Sequence, residues 1–231
     1  MKKEINGKTT IISLGGSIII PENIDVSFLR AFSKLIRKHI ARGMKFVIIA
    51  GGGKTARHYQ DAAAALHTLN RDDLDWLGIH ATRLNGHLIR TIFRKEANPQ
   101  MIHDPRLKVS MSHPIVVAAG WKPGWSTDYV AVRLAKNIGA KRVINLSNIN
   151  FAYTKDPRKF KNAKLIRKTN WRTFRKLLPK KWDPGVSAPF DPIAAREAET
   201  LKLEVAIING KKLSEVDKYL RGKKFRGTVI S

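Results

Sequence analysis

KFVIIAGGGKTARHY, Lys45–Tyr59, changes character at its centre. Lys45–Ala50 is an apolar run of the length and composition of a buried strand. Three glycines follow, and an alanine-rich helix continues from about Lys54 to Leu69. A strand that passes through glycines into a helix is the building unit of a parallel sheet, because parallel neighbours need a crossover between them. The alternation continues in both directions. Thr9–Leu14 is a short strand ending at Gly15-Gly16, and Val26–Arg42 carries Phe28, Phe32, Leu35, Ile36 and Ile40 at helical spacing before Gly43 stops it. Leu74–Lys95 reads as a long helix, Pro114–Ala118 as a strand, Thr127–Ile138 as a helix and Arg142–Leu146 as a strand. A basic, irregular segment with a short helix near Trp171–Leu178 leads to a helix at Pro192–Lys202. Glu204–Ile208, Leu213–Arg221 and Gly227–Ile230 then read as strand, helix and strand. The fold class is α/β, with parallel βαβ units, right-handed crossovers and helices on both faces.

At 231 residues the chain suits one large α/β domain or at most two small ones. No apolar run approaches the ~20 residues of a membrane span, and the opening MKKEINGKTT lacks the apolar stretch of a signal peptide. The absence of cysteine excludes disulfides and thiolate metal sites and is compatible with a cytoplasmic home. The seven histidines show no metal-ligand spacing, so no metal site is expected in the chain itself. Lys and Arg number 44 against 18 acidic residues, a formal net charge of +26. Such a field attracts nucleotides, nucleic acid or anionic membrane; a lysine-rich solvated surface is the plainer alternative. Twelve basic residues and one acid, Asp156, fall between Lys155 and Lys181.

Ligands of open parallel sheets bind beyond the carboxyl ends of the strands. Three such ends carry unusual loops: Gly15-Gly16-Ser17, Gly51-Gly52-Gly53, and Gly120 to Thr127. Glycine lets backbone approach an anion, and the helix that follows offers unpaired N–H groups. GGGKT is not a Walker loop, because the glycine that pattern requires five residues before Gly53-Lys54 is Ile48. Lys54 and Arg57 share one face of their helix, either as phosphate ligands or as a surface pair. Ser126 and Thr127 either cap their helix or line an anion site, and Asp128 is either a first-turn acid favoured by the helix dipole or an organising carboxylate.

SLGGSIIIPEN (Ser13–Asn23), AGGGKTARHY (Ala50–Tyr59), DWLGIHATRLNG (Asp75–Gly86), KPGWSTD (Lys122–Asp128), SNINFAYTKDP (Ser147–Pro157), FDPIAAR (Phe190–Arg196) and GTVI (Gly227–Ile230) stand in an order that resembles the amino acid kinase superfamily, and within it the archaeal-type UMP kinases. The resemblance covers nearly the whole chain. It implies one domain over 1–231 in an αβα sandwich, with an acceptor half to about 146 and an ATP half from about 147. It also implies transfer of the γ-phosphoryl of ATP, with Mg²⁺, to UMP. UMP would meet Gly52, Asp75 and the loop Trp121, Lys122, Pro123, Gly124, Trp125, Ser126 and Thr127. In that pose Asp75 faces the nucleoside and Thr127 the α-phosphate. ATP would meet Gly16, Ser17, Gly53, Arg57, Ser147, Asn148, Tyr153 and Asp156. Asp128 looks like the family's organising aspartate, and the family also implies a homo-oligomer, a hexamer built from dimers.

The chain departs from the family in two places. Ser13 stands where many relatives have a catalytic lysine, which leaves Lys54, Lys122 or Arg57 to supply the charge. The family's Asn-Val-Asp-Gly-Val-Tyr becomes Asn148–Tyr153 with Asn150 and Phe151, which puts a ring beside the expected adenine site. Two alternatives remain open: a superfamily member with another acceptor, and a kinase-fold protein without activity that binds RNA or another polyanion. The Gly-His pair expected of isopentenyl phosphate kinases is missing from the second glycine loop.

Overall fold

The computed structural model describes residues 9–179 and 188–231. The first eight residues, and Lys180 and Lys181 at the end of the basic segment, lie outside the described residues. In chain order the elements are β1 (Thr9–Leu14), α1 (Gly16–Ile19), α2 (Val26–Ile40), β2 (Lys45–Ala50), α3 (Gly53–Leu66), α4 (Arg71–Ile92), β3 (Ile115–Ala118), α5 (Thr127–Ile138) and β4 (Arg142–Ser147). There follow β5 (Ala152–Tyr153), β6 (Leu165–Ile166), β7 (Lys168–Thr169), α6 (Trp171–Arg175), α7 (Pro192–Thr200), β8 (Glu204–Asn209), α8 (Leu213–Leu220) and β9 (Thr228–Ile230).

Seven strands form one sheet in the order β3-β2-β1-β4-β8-β9-β7, and β5 and β6 form a small antiparallel pair. The five strands from β3 to β8 are parallel. The sheet is thus mainly parallel, as expected; β9 runs antiparallel to β8, with Thr228 opposite Ile207 and Ile230 opposite Val205. The intervening helix α8 has only eight residues, about 12 Å at 1.5 Å per residue. Gly222, with φ of +66°, turns the chain after it. The chain therefore re-enters the sheet beside the carboxyl end of β8 and runs back.

Alternate residues of each strand serve two separate cores. Ile11, Val47, Val116, Val143 and Val205 pack with α5, α6 and α7; Ile12, Ile48, Val117, Ile144 and Ala206 pack with α1, α2 and α8 on the other face. A one-residue slip in any strand would exchange these sets, so burial fixes the register. The αβα layering follows. Polar side chains write the helix starts. Asp25, Asn70, Ser126, Asn170 and Asp191 each accept a backbone N–H in the first turn of α2, α4, α5, α6 and α7. The Asn70 cap starts α4 at Arg71, three residues before the first apolar position, Leu74. Among the described residues no helix is long and apolar enough to cross a membrane.

Candidate active site

From β1 the chain moves outward to β2 and β3, then returns to pair β4 on the other side of β1. A crevice opens beyond the carboxyl ends of strands at such a reversal. The loops meet there by backbone contact. Gly15 N–H donates to Leu146 O and Gly51 N–H to Leu14 O, both at 2.9 Å. A Cβ on Gly16 would lie 1.9 Å from Gly53 N, and one on Gly51 would lie 2.3 Å from Gly16 N. Part of the glycine signal is therefore loop-on-loop packing. Asn85, buried on α4, donates its amide to Gly51 O at 2.8 Å and Gly52 O at 3.0 Å, which fixes the path of the second loop.

Asp128 lies where α5 begins. Ser13 and Asn145 are paired across β1 and β4, so their side chains share a face of the sheet. Both donate to Asp128 Oδ1 at 3.0 Å. Asp128 Oδ2 accepts the backbone N–H of Asp191 at 3.3 Å. Burial, and next the neighbouring carboxylate of Asp191, push the Asp128 carboxyl up to about 7; the Ser13 bond pulls the other way. Asp191 Oδ1 caps α7 through Ile193 N and Ala194 N, while its Oδ2 is buried without a hydrogen-bond partner. An uncompensated carboxylate oxygen beside a second carboxylate suits a cation.

The Gly120–Thr127 loop is pinned to α4 at three points. Gly120 N–H donates to Thr82 Oγ1 at 2.8 Å, Arg83 donates to Trp121 O at 3.1 Å, and Gly124 N–H donates to Asp75 Oδ2 at 2.7 Å. Asp75, expected to face a nucleoside, is buried and has one oxygen engaged in shaping the loop. Gly124 has φ of +84°, a conformation that favours glycine. Ser126 caps α5 through Tyr129 N at 3.1 Å. Trp121, Trp125 and Tyr129 form a run of rings with centroids 5.7 Å and 4.1 Å apart, and Arg106 and Lys122 approach the Trp121 ring at 4.8 Å and 4.6 Å.

The remaining expected residues are distributed as follows. Ser17 lies in α1 beside the glycine contact and Ser147 closes β4, with Asn148 exposed after it. Lys54, half-buried, is 3.5 Å from the exposed Glu22, and its backbone N–H donates to Ile20 O. Arg57 projects into solvent one turn further along α3. Tyr153 pairs with Leu165 in the β5–β6 hairpin. Asp156 accepts from the backbone and guanidinium of Arg158, which hold its carboxyl below the ordinary range. Phe151 is buried beneath Arg167 and packs into the protein, so the ring does not stand free beside the hairpin. Thr82 and Asn85 lie within DWLGIHATRLNG and Asp191 within FDPIAAR without an expected role of their own, and Asn145 lies outside the matching blocks. The signal available for Asn145 is a lone polar residue at an apolar position in RVINLS; Asn85 shares the inner face of α4 with Asp75 and Thr82 and has no such mark.

Comparison with known proteins gives a consistent result. The profile of the amino acid kinase family matches residues 8–209. The uridylate kinase of Pyrococcus abyssi is 32% identical over 223 residues, 95% of this chain and 98% of its own. That of Sulfolobus acidocaldarius is 32% identical over 225 residues, 95% and 97% of the two chains. The crystal structure of the uridylate kinase from Archaeoglobus fulgidus superposes with a TM-score of 0.82 at 29% identity, covering 96% of this chain and 99% of that one. A UMP kinase structure from Bacillus anthracis, at a TM-score of 0.78 and 19% identity over 97% and 96% of the chains, shares the fold.

Proposed function

The chain belongs to the amino acid kinase family, and from that premise we propose that it transfers the γ-phosphoryl group of ATP to UMP, giving UDP and ADP. The observation that carries this reading is the convergence of Ser13 from β1, Asn145 from β4 and the backbone N–H of Asp191 on one half-buried carboxylate, Asp128, at the start of α5, in a sheet whose β1 and β2 glycine loops pack on each other. Phosphoryl transfer asks the protein for little covalent chemistry. It asks for two nucleotides held in line and for charge to be neutralised. UMP binds against Gly52, Asp75 and Trp121–Thr127, with its phosphate at the Ser126–Thr127 end. ATP binds against Gly16, Ser17, Gly53, Arg57, Ser147, Asn148 and Tyr153, with Asp156 shaping the adjacent turn. Arg57 and Lys54 supply positive charge at the start of α3 and replace the lysine absent at Ser13. Asp128 fixes Ser13, Asn145 and the start of α7 around the transferring phosphoryl group. Mg²⁺ would arrive with ATP as part of the substrate and neutralise phosphate charge, and the carboxylates of Asp191 and Asp128 would be the groups to hold it.

The same reading covers 1–231 as one catalytic unit working in the cytoplasm as a homo-oligomer. The face of α3 supports the last point: the helix buries only Ala56, and Tyr59 and Leu66 are exposed. The function is tested by offering UMP, CMP, AMP and small alcohol or acid phosphates one at a time with Mg-ATP. UMP is expected to give the highest kcat/KM. A higher value for a non-nucleotide acceptor would move the chain to another branch of its family.

A further inference from the structure

On the outer side of the helical layer, α6 and α7 enclose an open cavity of about 590 Å³. Four of its lining residues are cationic: Arg172 and Arg175 on α6, Lys176 at the C-cap of that helix, and Arg196 on α7. The α6 residues are three and four positions apart and so share a face. Arg175 is paired with Glu199. Arg172, Lys176 and Arg196 are exposed, and among the described residues they have no acidic partner. Like charges gathered this way repel one another, and an incoming anion relieves the repulsion. The cavity is distinct from the crevice around Asp128. Ala194, Ala195 and Ala198 form the buried face of α7 towards the sheet, whereas Arg196 is on the exposed face.

We propose that this cavity is a docking site for the phosphate backbone of nucleic acid, independent of the kinase reading. Three features favour a polymer over a mononucleotide. Among the described residues no aromatic side chain lines the cavity to hold a base. The cations are exposed, as a backbone tracking across a surface requires. Basic residues also continue along the chain leading into α6, where Lys159, Lys161, Lys164 and Lys168 are all exposed. The net charge of +26 far exceeds what two nucleotides need.

The test measures binding of a fluorescein-labelled oligothymidylate to the full chain across a salt series, with and without saturating UMP and a non-hydrolysable ATP analogue. Wild type should bind at physiological salt, and the nucleotides should not displace the oligonucleotide. R172A/K176A/R196A should weaken binding about tenfold or more and lower the log–log salt slope by about 2, since each lost phosphate contact contributes roughly 0.7 to 0.9. UMP turnover and melting temperature should be unchanged. K34Q/K95Q/K223Q removes the same charge from exposed positions elsewhere and should have a clearly smaller effect. Equal loss in both triple variants, displacement by the nucleotides, or no binding at physiological salt would each overturn the proposal.

Discussion

Asp128→Asn should fold normally and lose about 10³-fold in kcat for UDP formation, the scale seen when a preorganised electrostatic group is removed from a transition state. The side-chain carbonyl that remains can still accept from Ser13 and Asn145, which hold the present Oδ1 at 3.0 Å. What disappears is the negative charge and the Oδ2 acceptor of the Asp191 N–H. Two pH effects separate this role from that of a helix cap. The folded carboxyl titrates at about 7, against about 3.9 in an unfolded chain. Between those values the folded state holds a proton that the unfolded state has released. Stability from this group is therefore greatest near pH 4, declines as pH rises towards 7, and is level above it. The Asn variant should lack that decline and melt higher than wild type at pH 8. In the wild type, kcat/KM should rise with an apparent pKa near 7, reporting the free enzyme. A variant that melts early yet retains full specific activity would reduce Asp128 to a structural residue.

Gly16→Ala should have a comparable effect by a different route. Its Cβ would sit 1.9 Å from Gly53 N and 2.5 Å from Gly53 Cα, with backbone on both sides and no flexible side chain to yield. The β1 and β2 loops must then separate, at a cost of about 1–3 kcal/mol for overpacking. A shift of about 1 Å in loops that place phosphates should cost roughly 10²-fold in kcat/KM. Gly124→Ala is the contrasting case. Its φ of +84° is strained for alanine, but the added Cβ meets nothing within 4 Å. It should lose about 1 kcal/mol of stability or somewhat more. Similar kinetics for the two variants would show that the contact between the glycine loops is not what positions the phosphates.

Much of this was legible in the residues. The runs TTIISL, KFVIIA and RVINLS are long enough and apolar enough to name β1, β2 and β4, and the glycines after the first two mark the crevice. β5, β6 and β7 have two residues each, too few for any periodicity, so the basic segment read as irregular. The direction of β9 depends on how far α8 travels, which spacing alone does not encode. The glycine loops were read as anion cradles, yet Gly16 and Gly51 are also required by one another, across 35 residues of chain. Asn85 and Asn145 escaped for a related reason. Each serves an atom far away in the sequence, and a single buried amide looks like any other polar residue until its partner is in place. Phe151, read as a ring beside the expected adenine site, is buried beneath Arg167.

The central claim is that these loops hold two nucleotides for direct phosphoryl transfer. The most direct measurement incubates the purified chain with Mg²⁺ and ATP labelled in the γ-phosphoryl group, adds UMP, and follows where the label goes. The account predicts that the label appears in the β-position of UDP in step with ADP, that none is released as inorganic phosphate at a comparable rate, and that Asp128→Asn suppresses the transfer. ATP hydrolysis without labelled UDP, or no turnover together with no calorimetric binding of UMP, would contradict it.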